Sequence, residues 1–248
     1  MNGRPTFAHR LAGLVAILVL AGCSNSSAGQ LTRFGSPPYV RGSGTVATET
    51  RPLATFDALV AESGVSVTVV SDETGTTTAT VTADDNLVSA VTTEVRDGTL
   101  FVGFGRSVES TLPLAVTVVT PLALTSVRAG AAAQVHLSGV DVPDLRVRAE
   151  SSARVAGAGT VGRLELTVDA AATVEFGELT VTTARVELRT ASTATLRVTG
   201  RVDGSCGHGS VLRLLGDPAA VDVTTDAGSS VVHDVGGNQD PERSVGPG

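Results

Sequence analysis

The amino-acid sequence predicts an all-β fold, a parallel β-solenoid wound in short coils of about 19 residues. Three observations carry that expectation. The C-terminal half aligns as rows, VRAGAAAQVHL, VRAESSARVAG, LTVDAAATVEF, LRTASTATLRV, GSCGHGSVLRL and VTTDAGSSVVH, in which one apolar column runs Val135, Val155, Val174, Leu196, Leu212, Val231, at steps of 20, 19, 22, 16 and 19 residues. Each row carries a tripeptide of small residues between two short alternating segments, which suits a tight corner between half-buried strands. The composition fits a thin interior: aromatic residues make up only 3% of the chain, while Val, Ala, Thr and Gly dominate. An antiparallel sandwich or barrel would also give regularly spaced strands. It would not require the same residue type at the same place in every unit, and here the type recurs.

From the N-terminus, Arg4 and Arg10 form a basic start, and LAGLVAILVLAG is an apolar run of signal-peptide length. The run ends at Leu20-Ala21-Gly22-Cys23, similar to a bacterial lipobox, in which the cysteine thiol takes up a diacylglyceryl group and becomes the first mature residue. Residues 1–22 are therefore read as a lipoprotein signal peptide. Cys23 is the expected lipidation site, and the expected location is the outer face of the cell membrane, reached through a lipid anchor. Each buried acyl CH₂ would contribute about 0.8 kcal/mol to that anchoring. Residues 23–43, rich in Ser, Gly and Pro, read as a flexible linker. Cleavage before Cys23 removes two arginines and no acid, taking the formal charge from −7 to −9 (16 basic residues against 25 acidic).

Residues 44–236 form the expected solenoid body. AESGVSV, Ala61 to Val67, matches the AESSARV row, and DGTLFVGF and LPLAVTVVTPLALTSV read as strands leading into the repeat. DDNLVSAVTTEV, Asp84 to Val95, is the best helix candidate, although its threonines and valines equally suit a strand pair. The polar residues 237–248 read as a disordered tail.

The coil pattern sorts the candidate chemistry. Cys206 and His208 sit two residues apart in DGSCGHGS, and a nucleophile with its base is one reading. Cys206, however, falls in an inward column with Ala129, Ala149, Val168, Thr190 and Thr225, whereas His208 falls in a corner column with Ala131, Ser151, Ala170, Ser192 and Ala227. The two are expected to face opposite ways, with Cys206 as packing. Glu150 and Asp169 occupy one column on neighbouring coils, flanked there by Gly130 and Ala191. They form a surface acidic pair that could bind a cation, with Arg148 placed to neutralise Glu150. Glu175, with Arg197 beside it and Arg213 one coil on, reads as surface pairing. There is no lysine, no basic block, no paired CxxC, no HExxH and no strand-to-helix phosphate loop. No nucleic-acid partner and no cofactor are expected.

The stretch GSGTVATETRPLATFDALVAESGVSVTV, the stretch VTADDNLVSAVTTEVRDGTLFVGF and the coils after LPLAVTVVTPLALTSV together resemble the putative auto-transporter adhesin, head GIN domain family, from about Gly42 to Gly236. The resemblance implies a right-handed parallel β-helix with Gly-Ser-Gly corners and an adhesive role. This chain departs from it, carrying AAA, SSA, AAA, STA, HGS and GSS at those corners. The function expected from all these readings is a non-catalytic, surface-exposed lipoprotein that binds an extracellular glycan or a protein. Two alternatives stand beside it: a polysaccharide lyase-like enzyme using Glu150 and Asp169, and an envelope accessory protein that partners a membrane or signalling complex.

Overall fold

The computed structural model describes residues 39–72, 75–105, 107–121 and 124–234. The signal peptide, Cys23, most of the linker and the tail lie outside them. The first part of the body contains β1 (Val40–Arg41), β2 (Val46–Pro52), β3 (Ala58–Ala61), β4 (Ser66–Ser71) and β5 (Thr78–Asp84). A 3₁₀ turn at Val88–Ala90 leads to β6 (Val91–Arg96), β7 (Thr99–Phe104), β8 (Val108–Glu109) and β9 (Ala115–Thr120). The repeat follows as β10 (Ser126–Ala129), β11 (Gln134–Ala149), β12 (Arg154–Val168), β13 (Thr173–Leu188) and β14 (Thr193–Cys206). It ends in β15 (Val211–Leu215), β16 (Ala220–Thr225) and β17 (Ser230–Asp234). The helix candidate at Asp84–Val95 is thus one 3₁₀ turn followed by a strand, as its β-branched residues favour.

From β10 to β17 all pairing is parallel, so each coil lies directly on the one before. One internal ladder runs Val135, Val155, Val174, Ala194, Leu212, Val231, and another Ala129, Ala149, Val168, Leu188, Cys206, Thr225. Both step by 20, 19, 20, 18 and 19 residues. The fourth row is therefore two residues out of the register expected from sequence, with Ala194 standing where Leu196 was placed and Leu188 where Thr190 was placed. A two-residue slip leaves every side chain on its own face, so alternation alone cannot detect it. The corner geometry decides it. Thr190 and Ala191 take positive φ (50° and 56°), like Ala131 and Ala132, Ser151 and Ser152, and Ala170 and Ala171. Ser192 instead turns inward, fully buried, its hydroxyl donating to the Val168 carbonyl at 3.1 Å.

The corners are zipped by backbone bonds: the N–H groups of Ala132, Ser152, Ala171 and Ala191 each donate to the carbonyl of Ser151, Ala170, Thr190 and His208 one coil on, all at 2.9 Å. The tightness of this stack explains the small residues. Inside, Phe176 and leucines such as Leu164, Leu196 and Leu212 are fully buried. Each such leucine contributes about 1.5–3 kcal/mol relative to exposure. No coil could shield these side chains alone, so stability comes from stacking.

β3 and β4 form a coil in register with the repeat, Ala61 against Ala129 and Val67 against Val135. The strands after it do not simply lead into the repeat. β7 and β9 pair parallel with β3 and β4 on their other side, and the chain then crosses back to β10. Antiparallel strands close this end, β6 on β7 and β2 on β5 on β9. Under them Phe56, Leu87 and Val88 are buried, and the Arg51 guanidinium donates to the Val88 and Val91 carbonyls at 2.9 and 2.6 Å. At the opposite end, among the described residues, β16 and β17 each pair on one side only, and Val221 and Val232 are exposed.

Candidate functional site

The acidic pair is where its column places it, on adjacent coils, but each carboxylate is already engaged. Glu150 accepts from Arg128 Nη2 at 2.5 Å and from Arg148 Nε at 2.9 Å. These hydrogen bonds, and the charge behind them, hold its carboxyl below the ordinary carboxylate range. Asp169 is held down mainly by the Thr190 hydroxyl and the Ala170 N–H, the latter at 2.7 Å. The next member of the column is Arg189, whose N–H bonds to the Val168 carbonyl just as that of Asp169 bonds to Ala149. Sequence alignment had put Ala191 there, a direct result of the slipped row. Arg189 in turn pairs with Glu187.

Other charges on this outer face are also paired. Arg146 meets Glu165 at 2.7 Å, and Arg201 meets Asp222 at 3.0 Å and Asp203 at 3.7 Å. Strand stacking puts opposite charges on consecutive coils, one strand spacing apart. Such exposed pairs contribute at most about 1 kcal/mol each, and they leave the face nearly neutral.

Cys206 and His208 diverge. Cys206 is buried, its thiol donating to the Ser210 carbonyl at 3.3 Å, and burial raises its pKa. His208 points to solvent, with Nδ1 3.9 Å from Asp226. The surface pairing of Glu175 with Arg197 does not form. A register shift between Phe176 and Thr180 sets Arg197 against Thr180, and its Nε donates to the Gly177 carbonyl at 2.8 Å.

That shift belongs to a feature the sequence did not disclose. Three successive coils change register at the same height, between Leu137 and Val140, Ala156 and Ala158, and Phe176 and Thr180. Such bulges bend strands and re-aim side chains. Beside them a groove follows the outer face of β12. Its floor is Arg154, Ala156 and Ala158, one wall is Gln134 and His136 on β11, and the other is Thr173, Glu175 and Glu178 on β13. Two adjoining depressions of about 240 and 400 Å³ make it up, sharing His136, Ala156 and Glu175. Among the described residues, the side chains of His136, Glu175 and Glu178 make no hydrogen bond and no ion pair. The only sequence signal was the loss of polar residues at Ala156 and Ala158, outward positions where neighbouring rows carry them.

A stack of short parallel coils, with charge pairs along an outer face and a shallow groove along β12, defines the class, a β-solenoid domain. The chain belongs to the family described as putative auto-transporter adhesin, head GIN domain, whose sequence profile matches residues 55–218. Among solved structures, it is similar to a putative adhesin from Bacteroides fragilis, with 16% identity, a TM-score of 0.64, and coverage of 78% of this chain and 99% of that one. A putative adhesin from Parabacteroides merdae gives 18% identity and a TM-score of 0.56 over 79% of this chain and 98% of that one. No individually curated protein matches the sequence. At these identities the likeness shows a shared fold.

Proposed function

We propose that this protein is an exported lipoprotein, held at the outer face of the cell membrane through Cys23, whose solenoid is a non-catalytic module for binding envelope or extracellular polymer. The observation that carries this reading is the state of the outer faces. Glu150, the acid best placed for catalysis, has both carboxylate oxygens occupied by arginines, while the groove along β12 lies open with unpaired polar walls. Membership of an adhesin family supports the same reading. Residues 23–38 would act as the spacer between membrane and body, because Val40 and Arg41 already pair with Val108 and Glu109 and Gly42 packs on Asp84.

Two experiments test it. Radiolabelled fatty acid should enter the wild-type protein and not Cys23→Ala; label retained in the variant refutes the anchor. The full-length protein applied to an array of glycans and matrix proteins should bind a defined subset, and binding to none of them refutes the adhesive role. Calcium titration with Glu150→Ala and Asp169→Ala addresses the enzyme reading. Calcium affinity lost in these variants, together with cleavage of an acidic glycan, would replace binding with catalysis.

A further inference from the structure

At its C-terminal end the stack stops at an open strand edge. β16 pairs with β14 alone, so half of its backbone N–H and C=O groups face away from the body, with no strand beyond them among the described residues. The inward columns come to the surface with it. Val202 and Cys206 are buried, whereas Val221 and Thr225, next in register, are exposed, and Val223 between them is half-buried. Unpaired backbone beside emerging apolar columns is a template for one more strand.

The charges say what kind of strand fits. One outer column runs Arg146, Glu165, Arg185, Asp203, Asp222 on successive coils. Glu165 and Asp203 each have an arginine in register beside them, but the neighbour of Asp222 is Asp203. Arg201 reaches Asp222 at 3.0 Å and Asp203 at 3.7 Å, one cation shared by two acids. Residues 217–234 also hold Asp217, Asp226 and Asp234, and no arginine or lysine. The next rung of the column therefore favours a cation. A second copy placed end to end would bring Asp222, Asp226 and Asp234 against the same three acids, which repel. The chain's own continuation, residues 235–248, has two acids against one arginine, and Pro241 and Pro247 suit it poorly to a ladder.

We propose that the free edge of β16 is a docking site for an extended basic segment of another protein, which joins the stack as an added strand. Arginine or lysine alternates with apolar residues in such a segment, because strand periodicity sets one beside Asp222 and the other over Val221 and Val223. This partner goes beyond the polymer binding proposed above, and its site shares no residue with the β12 groove. The body begins near β2, eight strand spacings from β16 along the sheet, about 38 Å, so attachment through the N-terminus leaves this edge clear. Affinity falls with added salt.

The test titrates the full-length protein at low salt with a fluorescent peptide of alternating Arg and Val, read by anisotropy. The controls are a peptide of the same composition with its Arg and Val in separate blocks, and an alternating Glu–Val peptide. The expected result is at least tenfold tighter binding of the alternating Arg–Val peptide than of either control, with slowed hydrogen exchange at the β16 amides that face away from β14. Asp222→Arg should weaken that peptide at least tenfold and strengthen the Glu–Val one. The Asp222 side chain is 72% exposed, so circular dichroism and the melting temperature should stay at wild-type values. Absence of binding overturns the proposal, and equal binding of the alternating and block peptides overturns strand addition. Unchanged affinity in Asp222→Arg, or protection away from β16, overturns the site. A dimer that protects the same amides without peptide gives the edge to a second copy and overturns the partner class. If the protein binds no peptide yet captures glycans on the array, the adhesive reading survives that failure.

Discussion

Gly157 faces the ring of Phe176 one coil further on, so closely that a Cβ at Gly157 would lie 3.1 Å from the ring Cε1. The pair shares one internal column with Leu137, and Phe176, the largest fully buried side chain, packs against a neighbour that has none. Gly157→Ala should therefore overpack the core and lower stability by about 1–3 kcal/mol, read from the midpoint of urea unfolding. An unchanged midpoint would mean the column has slack to absorb a methyl.

The corners carry the opposite opportunity. Ala132 sits at φ 61°, where a side chain costs about 1–2 kcal/mol. Glycine there removes that cost and gives back about 0.4–1 kcal/mol in unfolded-state entropy. Ala132→Gly should raise stability by about 0.5–1 kcal/mol in thermal or urea unfolding. A loss would show that the methyl contributes packing along the ridge.

Asp84 is fully buried and serves as the centre of a clasp. It accepts from the Gly44 N–H at 2.7 Å, the Thr111 hydroxyl at 2.6 Å and the Ser110 hydroxyl at 2.8 Å. Gly42 packs on it so tightly that a Cβ there would come within 2.6 Å of all three carboxylate atoms. The Thr111 hydrogen bond, then those from Ser110 and the backbone, hold its carboxyl far below the ordinary 3.8. A depressed folded-state pKa means stability that is present above the unfolded value and drains away as pH falls through it toward the folded one. Unfolding midpoints should thus fall below about pH 4. Asp84→Asn should be less stable at neutral pH and should show a shallower acid dependence. Parallel pH curves for the two proteins would count against the clasp.

Cys206 donates its thiol to the Ser210 carbonyl inside the core, and burial raises its pKa. Both effects suppress the thiolate that reacts with disulfide reagents. In the Cys23→Ala protein, Cys206 is the one remaining cysteine. Its labelling by a dithiobenzoate reagent at neutral pH should be at least a hundredfold slower in buffer than in urea. Rapid native labelling would place the thiol outside.

Ladder residues such as Val135, Val155 and Val174 were legible from sequence because stacking forces like onto like at a fixed period. The fourth row was misread by two because Thr190-Ala191-Ser192 offers several small residues for one corner, and only backbone φ distinguishes them. The AESGVSV coil was recognisable. That β7 and β9 stack on its far side was not, since crossing back over a coil leaves no local mark. At the candidate site, burial of Cys206 and exposure of His208 followed from their columns, one an inward ladder and the other a corner. The groove did not, because it arises where bulges in three coils coincide, and each bulge taken singly is only a glycine-rich kink.

The two ends of the stack differ in one further respect. Near Arg51 the pile has a stopper; near Val221 and Val232 the described residues supply none. A structure that leans only on its neighbour, with one end plugged and the other without a plug among the described residues, comes apart directionally, like a zip with a single stop. Trimming by a protease from the β17 side should consequently yield a shorter protein that keeps its shape, whereas loss of the plugged end would deprive every layer above it of footing.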